Sequence, residues 1–166
     1  IRSMAKDPIV LAMANPTPEI MPAEAEAAGA RIIGTGRSDF PNQVNNVLCF
    51  PFIFRGALDV GATTINDEMK LACIDGIAEL ARATTSAEAA AAYQGEQLTF
   101  GADYLIPKPF DPRLVGIVSS AVARAAMETG VATRPIKDLE AYKAKLDESV
   151  FKSALLMRPV FEAARE

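Results

Sequence analysis

Six apolar residues in a row, Ile9-Val10-Leu11-Ala12-Met13-Ala14, run into two prolines in Asn15-Pro16-Thr17-Pro18-Glu19. An unbroken apolar run of this length is expected of a strand covered on both faces in a parallel sheet. The prolines end it, because each lacks the N–H a strand needs and biases the residue before it away from helix. Pro22 to Ala28 is rich in Ala and Glu, with Pro at a first helical position and Gly29 just past the end, the punctuation of a short helix. Arg31-Ile32-Ile33-Gly34 then reads as a second strand. Strand, short helix, strand is a βαβ crossover, whose two strands lie parallel with their carboxyl ends on one edge. Asn15 and Thr35-Gly36-Arg37 therefore share that edge. Ligands of open α/β sheets bind outside the carboxyl ends of the strands, so these two loops are the expected site.

Beyond the crossover the spacing predicts a helix over Asn42 to Phe50, with Val44, Val47 and Leu48 on one stripe and Pro51 forcing a break or kink. Phe50, Phe52 and Phe54 flank that break and are expected in the core. Ile65, Met69, Ala72, Cys73, Gly76, Ile77 and Leu80 fit a further helix, with Thr64 as N-cap and Asp67 and Glu68 in its first turn. A helical piece over Ala87 to Tyr93 and a short strand at Tyr104-Leu105-Ile106 follow. Asp111 as N-cap, Pro112 in the first turn, a stripe of Val115, Val118, Val122 and Ala125, and Gly130 at the end define another helix. Leu139, Tyr142 and Leu146 begin a charged helix, and Val150 to Glu166 begins one interrupted at Pro159.

The densest polar stretch beside the expected ligand edge is Gly36 to Asn46, GRSDFPNQVNN. Neutral amides at a helix start suit a carboxylate or phosphate, which they bind without adding charge; the competing reading is that these Asn residues satisfy local backbone. Both readings apply to Asn15, Asn45 and Asn46. Arg37 and Asp39 read as a local ion pair fixing the turn. Lys6 and Lys108 would move protons only if buried, and Lys108, between Pro107 and Pro109, reads as a solvated loop lysine.

Composition removes whole classes of chemistry. The chain has no histidine, so no Ser-His-Asp or Cys-His arrangement can form. Its two cysteines, Cys49 and Cys73, form no CxxC pair and no thiolate zinc site, and both are expected reduced in the core. Asp and Glu are scattered, without the clustered oxygens a divalent cation needs, so no metal ligand is expected. Basic and acidic residues number 7 and 10 over residues 1–83 and 10 and 11 over 84–166, which leaves no basic face for nucleic acid. No apolar run approaches the ~20 residues that span a bilayer, so a soluble, cytoplasmic protein without a membrane partner is expected. Neither GxGxxG nor GxxxxGK[ST] is present, and three short strands cannot make a full doubly wound sheet. The fold class expected is α/β, a partial Rossmann-type doubly wound parallel sheet with C-terminal helices.

The motifs themselves carry a resemblance. Ala14 to Ile20 (ANPTPEI), Thr35 to Asn46 (TGRSDFPNQVNN), Val47 to Ala62 (VLCFPFIFRGALDVGA), Ile65 to Lys70 (INDEMK) and Ile106 to Leu114 (IPKPFDPRL) closely resemble the malic enzyme family in its bacterial form, over essentially the whole chain. The resemblance implies oxidative decarboxylation of (S)-malate to pyruvate and CO2 with NADP or NAD, assisted by Mg2+ or Mn2+ held by residues outside this chain. It implies that Asn15 lies at the nicotinamide and substrate side of the cleft and binds the cofactor, and that Asn45 and Asn46 contribute to binding the malate carboxylate and the cofactor. No catalytic residue is matched: the family's general-acid Tyr, general-base Lys, metal ligands and Gly-rich nucleotide loop precede this segment, and Tyr104, Tyr142 and Lys108 do not replace them.

The resemblance further implies that residues 1–130 are the C-terminal part of the NAD(P)-binding domain. Residues 131–166 would then be helices leading toward the phosphotransacetylase-like domain of the larger bacterial members, which also favours NADP. The chain is thus expected to be an excerpt, partnered by the rest of its polypeptide within a homo-oligomer. Two alternatives are a non-catalytic interaction module associating through its open sheet edge and another Rossmann-type oxidoreductase, such as an amino-acid dehydrogenase. The TGRSDFPNQVNN stretch argues against the latter.

Overall fold

The structure is a computed structural model and describes residues 1–83 and 98–150. The chain divides into two compact units, Ile1–Leu48 with Ile77–Asp111, and Cys49–Gly76 with Pro112–Glu166. The expected helix over Ala87 to Tyr93 and the one from Val150 to Glu166 lie outside the described residues, apart from Val150 itself.

The first unit is built on the crossover. Strand β1 (Ile9–Ala12), helix α1 (Pro22–Ala27) and strand β2 (Ile32–Thr35) follow in order, and β1 pairs parallel with β2 from Ile9 opposite Ile32 to Ala12 opposite Thr35. Pro22 opens α1, where a missing N–H costs nothing, and Gly29 leaves it at φ 97°. The strand ends at Ala12 rather than Ala14. Ala14 N–H instead donates to Glu19 Oε2 at 3.1 Å, closing the proline loop on itself. Expected as a strand covered on both faces, β1 exposes Ile9 and Leu11, with Met13 beyond it also exposed.

The strand expected at Tyr104 to Ile106 does not form. Gly101 and Tyr104 exchange backbone hydrogen bonds with each other at 3.2 and 3.1 Å, and Leu105 N–H is taken by Asn42 Oδ1 at 2.8 Å. With these groups spent locally and on a side chain, no strand ladder is left to extend. Tyr104 is nonetheless buried, so the apolar signal marked burial rather than strand.

In the second unit, α2 (Phe50–Asp59) packs on α4 (Leu114–Glu128). Gly56 permits the close approach: a Cβ there would stand 2.5 Å from the Ser119 carbonyl oxygen and 2.9 Å from Val122 Cβ. The helix expected over Asn42 to Phe50 starts instead at Phe50, after a 3-10 turn at Asn46–Leu48. Asn42 has φ 53°, which a right-handed helix cannot contain, and Pro51 lies in the first turn of α2 rather than breaking a helix. The register of the aromatics follows. Ile53, Gly56, Ala57 and Val60 are buried, whereas Phe50 and Phe54, expected in the core, are 62% and 43% exposed and pack edge to face on one another.

Helix α3 (Asp67–Arg82) buries Met69, Cys73, Gly76 and Leu80, as the spacing predicts. Its cap is Asn66 rather than Thr64: Asn66 Oδ1 accepts from Met69 N–H at 3.0 Å, and its amide donates to Thr129 Oγ1 at 2.8 Å. Helix α4 starts after Arg113 rather than Asp111, because the Arg113 carbonyl is the first to accept an i+4 bond, from Ile117. Val118, Val122 and Ala125 are buried, Val115 is half-buried, and Gly130 at φ 73° closes the helix. Residues 139–150 form α5, whose Tyr142 O–H donates to Asp59 Oδ2 at 2.8 Å. No helix among the described residues is long and apolar enough to cross a membrane.

Candidate functional site

The parallel register brings the carboxyl ends of β1 and β2 side by side, so the loops after Ala12 and Thr35 meet within the first unit. Their contact is Asn15 on Gly36. A Cβ on Gly36 would stand 2.7 Å from Asn15 Oδ1 and 2.9 Å from its Nδ2, so the Asn15 amide occupies the space a side chain would take. Asn15 itself is exposed, and its peptide bond to Pro16 is cis. Glu19, accepting the Ala14 N–H, has its carboxyl held below the ordinary range by that bond.

The polar stretch after β2 closes on itself. Val44 N–H donates to the Thr35 carbonyl at 2.7 Å, Gln43 Nε2 donates to the Gly36 carbonyl at 3.2 Å, and Arg37 N–H donates to buried Thr35 Oγ1 at 3.1 Å. Arg37 and Asp39 form the expected ion pair, bidentate at 2.9 and 2.6 Å. The hydrogen bond from Arg37 holds the Asp39 carboxyl low and raises the guanidinium. Arg37 also lies 5.1 Å over the Phe40 ring. Its charge is thereby committed, so this pair shapes the turn rather than meeting a ligand alone.

Asn42 anchors the loop. Its Nδ2 donates to the carbonyls of Ile33 at 3.0 Å and Ala102 at 2.7 Å, and its Oδ1 accepts from Leu105. The residue is buried, and all three partners lie within the first unit. Sequence reasoning gave Asn42 no such part. Its signal was present in the turn Ser38-Asp39-Phe40-Pro41-Asn42, because Asn tolerates the left-handed conformation that ends such turns.

The remaining expected residues divide. Asn45 is half-buried and its Oδ1 accepts from Val47 N–H at 3.0 Å, the local backbone role. Asn46 is exposed and opens the 3-10 turn, so its amide faces water. Lys6 is exposed. Lys108, expected to be solvated, is half-buried and lines a cavity of about 360 Å³ with Ser38, Asp39, Asn42, Asp103 and Tyr104. Tyr142 is bound to Asp59, and burial raises its phenol. Among the described residues no three His, Cys, Asp or Glu side chains converge, so the donors present do not fit a divalent cation. What Asn15 and Gly36 offer is neutral hydrogen bonding at a strand edge, suited to holding and orienting a ligand rather than transferring its protons; the structure does not bring Asn46 to them.

No family model matches the chain. It is 61% identical over 166 residues to the NADP-dependent malic enzyme of Haemophilus influenzae, covering 99% of this chain and 22% of that protein. It is 62% identical over 163 residues to the NAD-dependent malic enzyme of Rhizobium meliloti, covering 98% of this chain and 21% of that protein. The fold matches the crystal structure of malic enzyme from Pyrococcus horikoshii with a TM-score of 0.77 at 40% identity, over 99% of this chain and 34% of that one. The chain thus spans about a fifth of the length of these two curated relatives. Its two-stranded parallel sheet with flanking helices is part of a Rossmann-like α/β fold. In sequence and in fold alike, the chain is a segment of a malic enzyme of the family to which these proteins belong.

Proposed function

We propose that this segment supplies the nicotinamide and malate face of an NADP-dependent malic enzyme, which oxidatively decarboxylates (S)-malate to pyruvate and CO2. The observation that carries this reading is identity of about 60% to bacterial malic enzymes along 99% of the chain, joined to an Asn15 amide lying against a bare glycine at the strand edge. The Haemophilus influenzae relative is NADP-dependent and the Rhizobium meliloti relative NAD-dependent; both support a nicotinamide cofactor, NADP is the one proposed, and the test includes both. Residues 1–130 belong in this reading to the nucleotide domain and 131–166 to the helices that follow it.

The chemistry of the donors fits a nicotinamide. Asn15 presents both an N–H donor and a carbonyl acceptor, and a carboxamide needs one of each. Gly36, bare of a side chain, lets the Asn15 amide settle against the backbone at the strand edge, which fixes where that donor and acceptor stand. Asn15 would hold and orient the nicotinamide there, and the bound cofactor would supply the acceptor for the hydride on the malate carbon bearing the hydroxyl. Asn46, exposed at the start of its turn, donates to the malate carboxylate, and Asn45 fixes that turn through Val47. Asn42 positions the loop and touches no ligand. The acid, the base and the Mg2+ or Mn2+ ligands come from the rest of the polypeptide. The reading carries with it a homo-oligomer in the cytoplasm. The interaction-module and amino-acid dehydrogenase alternatives receive no support from these relatives, which are malic enzymes.

Malate-dependent reduction of NADP, and of NAD for comparison, by the full-length polypeptide tests this. Activity is expected, and Asn46→Ala should lower kcat/KM for malate about tenfold, the ~1.4 kcal/mol expected of a hydrogen bond to a charged carboxylate. An unchanged kcat/KM would remove Asn46 from the site, and no malate-dependent reduction would overturn the function.

A further inference from the structure

The chain's two cysteines, 24 positions apart, come together in the second unit: Cys73 Sγ lies 3.2 Å from Cys49 Sγ, and both are free thiols. Cys49 stands immediately before α2, and Cys73 sits mid-way along α3. Their exposure differs in a way that assigns roles. Cys49 is half-buried and the more accessible of the two, whereas Cys73 is 1% exposed. We propose that Cys49 and Cys73 are a peroxide-responsive dithiol that closes reversibly to an intramolecular disulfide.

The step balances as follows. Cys49 sulfur attacks one oxygen of hydrogen peroxide, the O–O bond breaks, and a sulfenic acid and one water result. Cys73 sulfur then attacks the Cys49 sulfur; the S–O bond breaks, the hydroxyl leaves as a second water with the Cys73 proton, and the S–S bond forms. Two thiols are oxidised and one peroxide is reduced. The sulfurs have about 1 Å to close to reach the bonded distance of about 2.05 Å. Burial and the neighbouring Cys49 push the Cys73 thiol up to about 12, so Cys73 is protonated at neutral pH, a poor direct target for peroxide and a slow resolving partner. Closure is therefore expected to quicken as pH rises toward that value. A 24-residue span containing the whole of α2 and the start of α3 would be tied at its ends, which raises Tm in the oxidised form.

The readout is covalent and does not depend on the malate chemistry proposed above. The full-length polypeptide is treated with hydrogen peroxide, quenched with an alkylating reagent under denaturing conditions and digested without reduction. The peptides holding Cys49 and Cys73 should be recovered joined, lighter by the lost thiol hydrogens, and should separate after dithiothreitol. Cys49→Ser should leave Cys73 fully alkylatable after the same exposure. Treated in urea, the parent should give far less of the joined peptide, because the contact belongs to the fold. Recovery of both peptides alkylated, of Cys49 as sulfinic acid beside alkylatable Cys73, or of equal cross-linking in urea would overturn the proposal.

Discussion

Replacing Asn42 with alanine removes three hydrogen bonds at once, two donated to the carbonyls of Ile33 and Ala102 and one accepted from Leu105 N–H. At about 1 kcal/mol net for each bond the loss is about 3 kcal/mol. Alanine at φ 53° adds about 1 kcal/mol, because it lacks the tolerance that Asn has for the left-handed region. The sum is about 4 kcal/mol of unfolding free energy, read by urea denaturation of the full-length polypeptide as a lower midpoint for the transition containing this unit. Asn42→Asp sharpens the test. It keeps shape, conformation and the acceptor for Leu105 but turns the donor toward two carbonyls into a carboxylate oxygen, so at neutral pH it should be no more stable than the alanine variant. Acidification, by restoring one donor, should recover part of the loss. An Asn42→Ala cost below about 1 kcal/mol, or an aspartate as stable as the parent at pH 7, would refute the view that this side chain holds the loop.

Three further expectations separate packing from function. Gly36→Ala would drive its Cβ against the end of the Asn15 side chain at 2.7 Å; the amide can swing away, so stability should hardly change while the cofactor KM rises, and an unaltered KM would unseat that contact. Gly56→Ala meets the Ser119 carbonyl at 2.5 Å, backbone that cannot yield, and should cost about 1–3 kcal/mol of overpacking, whereas Gly76→Ala, with its nearest neighbour at 3.5 Å, should stabilise by up to about 1 kcal/mol; equal melting shifts would contradict the packing described. Burial raises the Tyr142 phenol above its ordinary value of 10.0, so above about pH 10 the unfolded chain loses that proton first and stability falls as pH rises. Tyr142→Phe should lose the bond to Asp59, about 1 kcal/mol at neutral pH, and show a shallower alkaline decline than the parent in denaturant titrations; an equally steep decline would assign it to other groups.

What the sequence disclosed were features set by near neighbours. The apolar run and its prolines placed β1, Pro22 and Gly29 bracketed α1, and the 3.6-residue stripe of α3 found Met69, Cys73 and Leu80 in the core. The strand-edge geometry brought Asn15 and Gly36 together before any coordinate did. What stayed hidden depends on residues far along the chain. Asn42 is bonded to partners 60 and 63 positions away, and the same bonds denied Tyr104 to Ile106 a strand ladder. A helix break and a helix start at Pro51 look alike until the residue before it is placed, and Phe50 and Phe54 changed face with that choice. The meeting of Cys49 and Cys73 was likewise closed to inspection, since one precedes α2 and the other sits within α3, and only packing joins them.

The most direct test of the central claim is the NADP dependence of malate oxidation by the full-length polypeptide carrying Asn15→Ala, compared with the parent at saturating malate. If the Asn15 amide meets the nicotinamide beside Gly36, the variant should fold with the parent's unfolding midpoint yet lose about tenfold in kcat/KM for NADP, ~1.4 kcal/mol. A variant whose turnover matches the parent at every cofactor concentration would make Asn15 a turn-former only, and the nicotinamide face would have to be sought elsewhere in the polypeptide.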